Sequence, residues 1–188
     1  MNFFFAPAYE GYFGNAILSK YKISDVFYKN IEIKDVETRG FIVSKFHENF
    51  NLIVTHLDVE LEEIRIQQYK EIKKNLNFNE LNILLGDFNA LRFEDYTKKK
   101  WNEILKIRKK NFWEFPKSNL IHLIEKDFID IWSKYDKIQP TCRYDTRIDY
   151  IFLSKMNQDD FEIKSILRID DIEISDHYPI LLKFLIKK

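Results

Sequence analysis

Apolar and polar positions along the chain alternate in short runs rather than long ones. Tyr12–Leu18, Asp25–Ile33, Gly40–Phe46 and Asn51–Leu57 are rich in Ile, Phe and Val, and their length predicts four strands. From Glu60 to Leu76 the spacing changes. Leu61, Ile64, Gln68, Ile72 and Leu76 fall on one stripe, with Glu62, Glu63, Lys70 and Lys74 off it, which predicts an amphipathic helix. Leu81–Leu85 is a continuous apolar run ending at Gly86, the pattern of a strand covered on both faces. Thr97–Lys110 predicts a second helix, and Ser118 stands where it would cap a third through Lys126. Arg147–Leu153, Phe161–Ile169 and Tyr178–Ile186 complete the set as three further strands. Many short strands with a few helices between them give an α/β or α+β sandwich, with sheets packed face to face and helices outside. No repeat, low-complexity tract or linker breaks the pattern, so residues 1–188 are expected to form one domain.

Charge narrows the partners. Lys+Arg and Asp+Glu both number 30, so the chain as a whole exerts no pull on nucleic acid or anionic membrane. The distribution is uneven, however. Lys98–Lys117 holds eight basic residues against Glu103 and Glu114, while Asn157–Asp176 holds seven acids against Lys164 and Arg168. Two solvated faces are the plainer reading of both. The basic stretch also interleaves its cations with Trp101, Phe112, Trp113 and Phe115, which suits a nucleic-acid strand by charge and stacking, although core packing accounts for the aromatics equally. One cysteine, Cys142, excludes an internal disulfide and a multi-Cys zinc site, which points to a reducing, intracellular compartment, cytoplasmic or nuclear. No apolar run approaches the roughly 20 residues of a membrane span. The opening Met1–Pro7 lacks the basic region of a secretory leader.

Four polar clusters mark strand ends. Gly86-Asp87-Phe88-Asn89-Ala90 follows the buried strand, where a glycine turns the backbone and the next polar side chains reach the sheet's edge. One of Asp87 and Asn89 can act on a proton while the other donates an amide to an oxyanion; an Asx-capped turn has the same letters. In Ser175-Asp176-His177-Tyr178-Pro179, His177 suits proton transfer near neutral pH, and alone it is as readily a loop histidine. In Arg147-Ile148-Asp149-Tyr150-Ile151, alternation puts Arg147, Asp149 and Ile151 on one face, and an acid there needs a partner. Thr55-His56-Leu57 ends the fourth strand with a histidine that would ordinarily be a satisfied core residue.

Taken in order, these motifs resemble the endonuclease/exonuclease/phosphatase superfamily, the DNase I-like metal-dependent phosphoesterases. Thr-His-Leu, Gly-Asp-Phe-Asn, Arg-Ile-Asp-Tyr and Ser-Asp-His agree with it in type, order and separation. Gly14–Lys20, Arg39-Gly40 and Arg65-x-x-Gln68 are smaller echoes. The resemblance implies a four-layer sandwich of two packed mixed β-sheets flanked by helices. It also implies hydrolysis of a phosphodiester or phosphomonoester with Mg²⁺, or Mn²⁺ in its place. Asp87 would position or deprotonate the attacking water. Asn89 and His56 would hold the phosphate. Asp149 would fix the tautomer of His177, and His177 would stabilise the transferring group. Asp176 and Asp87 would lie against the metal.

The resemblance is N-terminally shortened. Members open with a strand carrying Asn and an element ending in Gln-Glu, whose Glu is the principal metal ligand; here the only acid before Asp25 is Glu10. A weakened metal site and an unpaired sheet edge are therefore expected, the edge closed either by self-association or by Met1–Phe5 lying along the gap. Two functions follow: an active phosphoesterase on nucleic acid, phosphoinositide or a related ester, or an impaired relic whose cleft binds a phosphorylated ligand or another protein. The Thr-His-Leu motif is similar to the sphingomyelinase, deadenylase, phosphoinositide-phosphatase and tyrosyl-DNA phosphodiesterase branches rather than to the apurinic-site endonucleases.

Overall fold

The computed structural model describes residues 1–46, 50–135, 138–171 and 174–187. Residues 172–173, inside the acidic stretch Asn157–Asp176, lie outside the described residues. A six-stranded mixed sheet forms the centre. Its strands are β3 (Ile23–Ile31), β4 (Arg39–Phe46), β5 (Phe50–His56), β6 (Leu81–Asp87), β7 (Phe128–Asp130) and β8 (Asp149–Ser154), in the order β3-β4-β5-β6-β8-β7. Among the described strands only β5 and β6 run parallel, and helix α1 (Glu62–Lys74) makes the crossover that a parallel pair requires.

The continuous apolar run of β6 is covered on both faces, as its pattern predicts. Leu84 joins Ile53, Phe41, Phe88 and Phe152 beneath α1 and α3 (Asn119–Ile124), which contribute Tyr69, Ile72, Leu120, Ile121 and Ile124. Its neighbours Ile83 and Leu85 face the other way. They meet the antiparallel hairpin of β9 (Phe161–Arg168) with β10 (Ile180–Ile186), while Ile42, Leu52 and Val54 on that face meet a second hairpin, of β1 (Asn2–Tyr9) with β2 (Phe13–Ser19). Leu52 of β5 packs against both hairpin cores, so the hairpins sit side by side on one face of the sheet. Each fully buried large side chain here contributes about 1.5–3 kcal/mol.

Several expectations are corrected. A strand precedes the first one expected: Asn2–Tyr9 pairs with β2, with a register shift between Pro7 and Tyr9, Phe4 turned toward the Ile17–Ile42 core and Phe3 left exposed. The buried stripe of α1 keeps Gln68 and Ile72 of the expected one but is rotated to take in Glu62, Arg65 and Tyr69, leaving Leu61 exposed. Glu114 explains the rotation, since it accepts from Arg65 (3.0 Å) and from the Glu62 backbone (2.8 Å) and makes that polar edge buriable. Helix α2 (Lys98–Lys110) forms where predicted, capped by Thr97, but Ser118 gives α3 no side-chain cap; its hydroxyl donates to Leu91 O and accepts from Phe93 N instead. Among the described residues no helix is long and apolar enough to cross a membrane.

Candidate active site

The register of three adjacent strands builds the site. His56 pairs with Asp87 across β5–β6, and Asp87 pairs with Asp149 across β6–β8, so the three side chains stand in a row at one edge of the sheet. Gly86 has φ +140°, and a Cβ there would lie 1.8 Å from the Thr55 carbonyl oxygen, so only glycine lets β6 approach β5 at this point. Phe88 is fully buried, edge-on to the stacked rings of Tyr150 and Phe152, and pins the turn that follows. Asn89 takes a left-handed conformation, φ +47°, and its backbone N–H donates to Asp87 Oδ1 at 2.8 Å. One amide hydrogen of Asn89 goes to Leu57 O at 3.0 Å, which leaves the other for a ligand.

His177 arrives from the far end of the chain. Its Nδ1 donates to Asp149 Oδ2 at 2.9 Å, and its Nε2 lies 3.8 Å from Asp87 Oδ2. The hydrogen bond to Asp149 raises the imidazole pKa to about 9, so the ring is cationic at neutral pH. Burial, with the Asp149 charge adding to it, raises the Asp87 carboxyl to about 7. His56 moves the opposite way. Burial of one side and the Arg39 guanidinium lower it to about 4. Arg39 Nη1 lies 3.4 Å from His56 Nδ1 and can only donate, which leaves the His56 proton on Nε2, 3.5 Å from Asp87 Oδ2.

The structure thus brings together His56, Asp87, Asp149 and His177, with Asn89 at their margin. Asp176 is exposed, and its carboxylate lies outside the group formed by Asp87, Asp149 and His177, whose ligand atoms all fall within 4.8 Å of one another. The two carboxylates, one of them raised to about 7 by burial with the other's charge adding to it, are oxygen donors that a divalent cation fits, while the cationic imidazole stands beside them as a donor of protons.

Thr141 is a residue the sequence patterns passed over. It is fully buried, and its Oγ1 accepts from the backbone N–H of both Ile148 and Asp149 at 3.0 Å, while its carbonyl accepts from Tyr178 N at 2.8 Å. One threonine therefore ties the Asp149 strand to the His177 loop. Nothing local signals this, because its partners are distant in sequence. Arg39, noted only as an echo, had a visible signal: a cation beside a strand-starting glycine.

A family model described as the endonuclease/exonuclease/phosphatase family matches residues 2–177. No curated protein matches the chain in sequence. Among solved structures, an endonuclease/exonuclease/phosphatase from Beutenbergia cavernae is 15% identical with a TM-score of 0.72, over 98% of this chain and 53% of that one. The human Nocturnin catalytic domain with bound sulfate anion is 15% identical with a TM-score of 0.64, over 99% and 72%. An AP endonuclease from Archaeoglobus fulgidus is 16% identical with a TM-score of 0.63, over 90% and 74%. The chain spans about half the length of the first of these.

Proposed function

The chain belongs to the endonuclease/exonuclease/phosphatase family, and from that premise we propose that it is a Mg²⁺-dependent phosphoesterase. The observation that carries this reading is the pairing of a cationic His177, fixed by Asp149 at 2.9 Å, with an Asp87 carboxyl whose pKa is about 7. A group titrating near neutral pH can take a proton from an attacking water as the new phosphorus–oxygen bond forms. His177 Nε2–H faces the same cleft and donates to a phosphoryl oxygen as its charge grows. Arg39, His56 Nε2–H and the free amide hydrogen of Asn89 are further donors for the phosphate. A divalent cation held by Asp87 and Asp149 supplies, when bound, the positive charge that offsets the ester's own. The sulfate named in the Nocturnin structure, an anion of phosphate's shape, agrees with an anion site in this fold.

The test is hydrolysis of bis(p-nitrophenyl) phosphate by the purified protein with Mg²⁺, with Mn²⁺ and with EDTA. Turnover that needs the metal and disappears in His177→Ala is expected. Phosphate binding without turnover in any metal would replace this reading with that of a binding module.

A further inference from the structure

Helix α2 and the loop that carries Tyr144 form one surface running away from the site. Five lysines of α2 (Lys98, Lys99, Lys106, Lys109, Lys110) and Arg143 have no acidic partner among the described residues. The helix contains a single acid, Glu103. Part of its apolar side is turned inward: Ile104 is buried and Trp101 meets the rings of Phe93 and Tyr96, while Ile107 is exposed. Beyond its C-terminus the aromatics stay in solvent. Phe112 is 97% exposed and Tyr144 68% exposed, and Trp113 stands edge-on to Tyr144 at 6.5 Å with Arg108 over its ring.

This surface is continuous with the catalytic cluster. Lys100 pairs with Asp145, which fastens α2 to the Tyr144 loop. Arg143 N donates to Asp176 O at 2.8 Å, and Cys142 bridges to His177 in the manner of a short antiparallel ladder. A polyanion with one phosphate at His177 and Asp87 would therefore meet Arg143 and Tyr144 next, and the lysines of α2 after them.

We propose that this surface binds single-stranded nucleic acid. The proposal rests on the phosphoesterase reading of the site and names its substrate class. Repeated phosphates suit a row of unpaired cations, and unstacked bases suit exposed ring faces, which a duplex does not offer. An anionic membrane is the competing partner for a basic helix, but such a helix needs an apolar stripe to lay into the lipid. In α2 Ile104 and Trp101 are turned onto the protein, and a single exposed apolar residue, Ile107, among the outward lysines is not a stripe.

Binding of a fluorescein-labelled oligothymidylate is measured by anisotropy in EDTA, so that turnover plays no part. Affinity should fall with salt, at a log–log slope of about −0.7 for each phosphate neutralised. The triple variant Lys106→Glu, Lys109→Glu, Lys110→Glu should bind at least about tenfold more weakly with a shallower slope, and Tyr144→Ala should lose several-fold. A milder set, Lys106→Gln with Lys109→Gln and Lys110→Gln, covers the case in which charge reversal disturbs folding. Both sets should hydrolyse the aryl phosphodiester as the parent does. Absence of binding, salt-independent binding, equal affinity in the lysine variants, or preference for duplex or for phosphatidylserine vesicles would overturn the proposal. Loss of aryl ester hydrolysis in the parent would instead overturn the function, while binding in EDTA would leave the surface standing.

Discussion

Two charge clusters flank the start of β8, two residues apart, and they are built on opposite principles. Arg147 is 1% exposed and donates to Asp130 through both terminal nitrogens, at 2.6 and 2.8 Å, and to Asp95 at 3.0 Å. Arg92 joins the same two carboxylates from the other side. Two guanidiniums thus meet two fully buried carboxylates, with Glu125 pairing Arg92 at the rim, and the Arg147 guanidinium lies 4.1 Å from the Tyr150 ring centroid. Around Asp149 nothing is balanced in this way. Burial, with the Asp149 charge adding to it, raises the cost of ionising Asp87, His177 is cationic, His56 is held neutral, and the cleft is open. The closed cluster holds its charges for the fold, and the open one leaves charge for a ligand to complete.

Two substitutions separate the clusters most sharply. His177→Ala should slow phosphoester hydrolysis about 10³-fold, the upper range for loss of one preorganised donor, while the urea midpoint stays near that of the parent. Steady-state kinetics beside denaturation curves would check it, and equal turnover in the variant, with contaminants excluded, contradicts the catalytic assignment. Asp130→Ala should do the reverse. It leaves buried guanidiniums short of a counter-charge and should cost about 3–5 kcal/mol of stability, read as a fall in urea midpoint. A loss below about 1 kcal/mol would mean that the closed network relaxes more freely than a buried ion pair does.

Much of the open cluster was legible because its residues end strands. An apolar run followed by Gly86-Asp87-Phe88-Asn89 states both where β6 ends and which polar groups emerge there, and the parallel β5–β6 pair then sets His56 beside Asp87. The closed cluster was not legible. Arg147 finds Asp130 and Asp95 across loops and short elements, and β7, which carries Asp130, is only three residues long. β1 was missed because Phe3–Pro7 has neither clean alternation nor a turn before it; its strand character comes from pairing with β2. The inward face of α1 was misplaced for a related reason: Glu62 and Arg65 look like surface residues until Glu114 is brought beside them.

Thr141 lies between the clusters and sharpens the contrast. Thr141→Val keeps the shape and removes the oxygen that accepts from Ile148 N and Asp149 N. An unsatisfied buried donor costs about 1–3 kcal/mol. If that oxygen positions Asp149, kcat should fall by about tenfold, equivalent to about 1.4 kcal/mol, with KM little changed, and Thr141→Ser should restore it. Equal kcat loss in Val and Ser variants would make the residue one of packing alone.

The smallest expected effect is on thermal stability, and it follows from how the open cluster titrates. Asp87 carries a folded-state pKa of about 7 against an ordinary value near 3.8, so its proton stabilises the fold fully below that ordinary value and ceases to as pH rises through 7. His177, raised from 6.5 to about 9, behaves alike: its contribution is complete below 6.5 and is lost as pH rises through 9. His56, lowered to about 4, costs stability only as pH falls below 6.5. Above pH 7 Asp87 is ionised in both states and His56 neutral in both, so His177 alone still loses its proton, and Tm should decline between about pH 7 and pH 9, by about 2–4 °C for each kcal/mol. A divalent cation between Asp87 and Asp149 takes over the role of the lost proton, so the rise in Tm with Mg²⁺ should be larger near about pH 8.5 than near about pH 5.5. Asp87→Asn removes a carboxylate the cation would meet, so it should shrink the Mg²⁺ gain while the alkaline decline, which belongs to His177 and its bond to Asp149, largely remains. Differential scanning fluorimetry of both proteins across pH checks this, and a Mg²⁺ gain that persists in Asp87→Asn would put the cation at other residues.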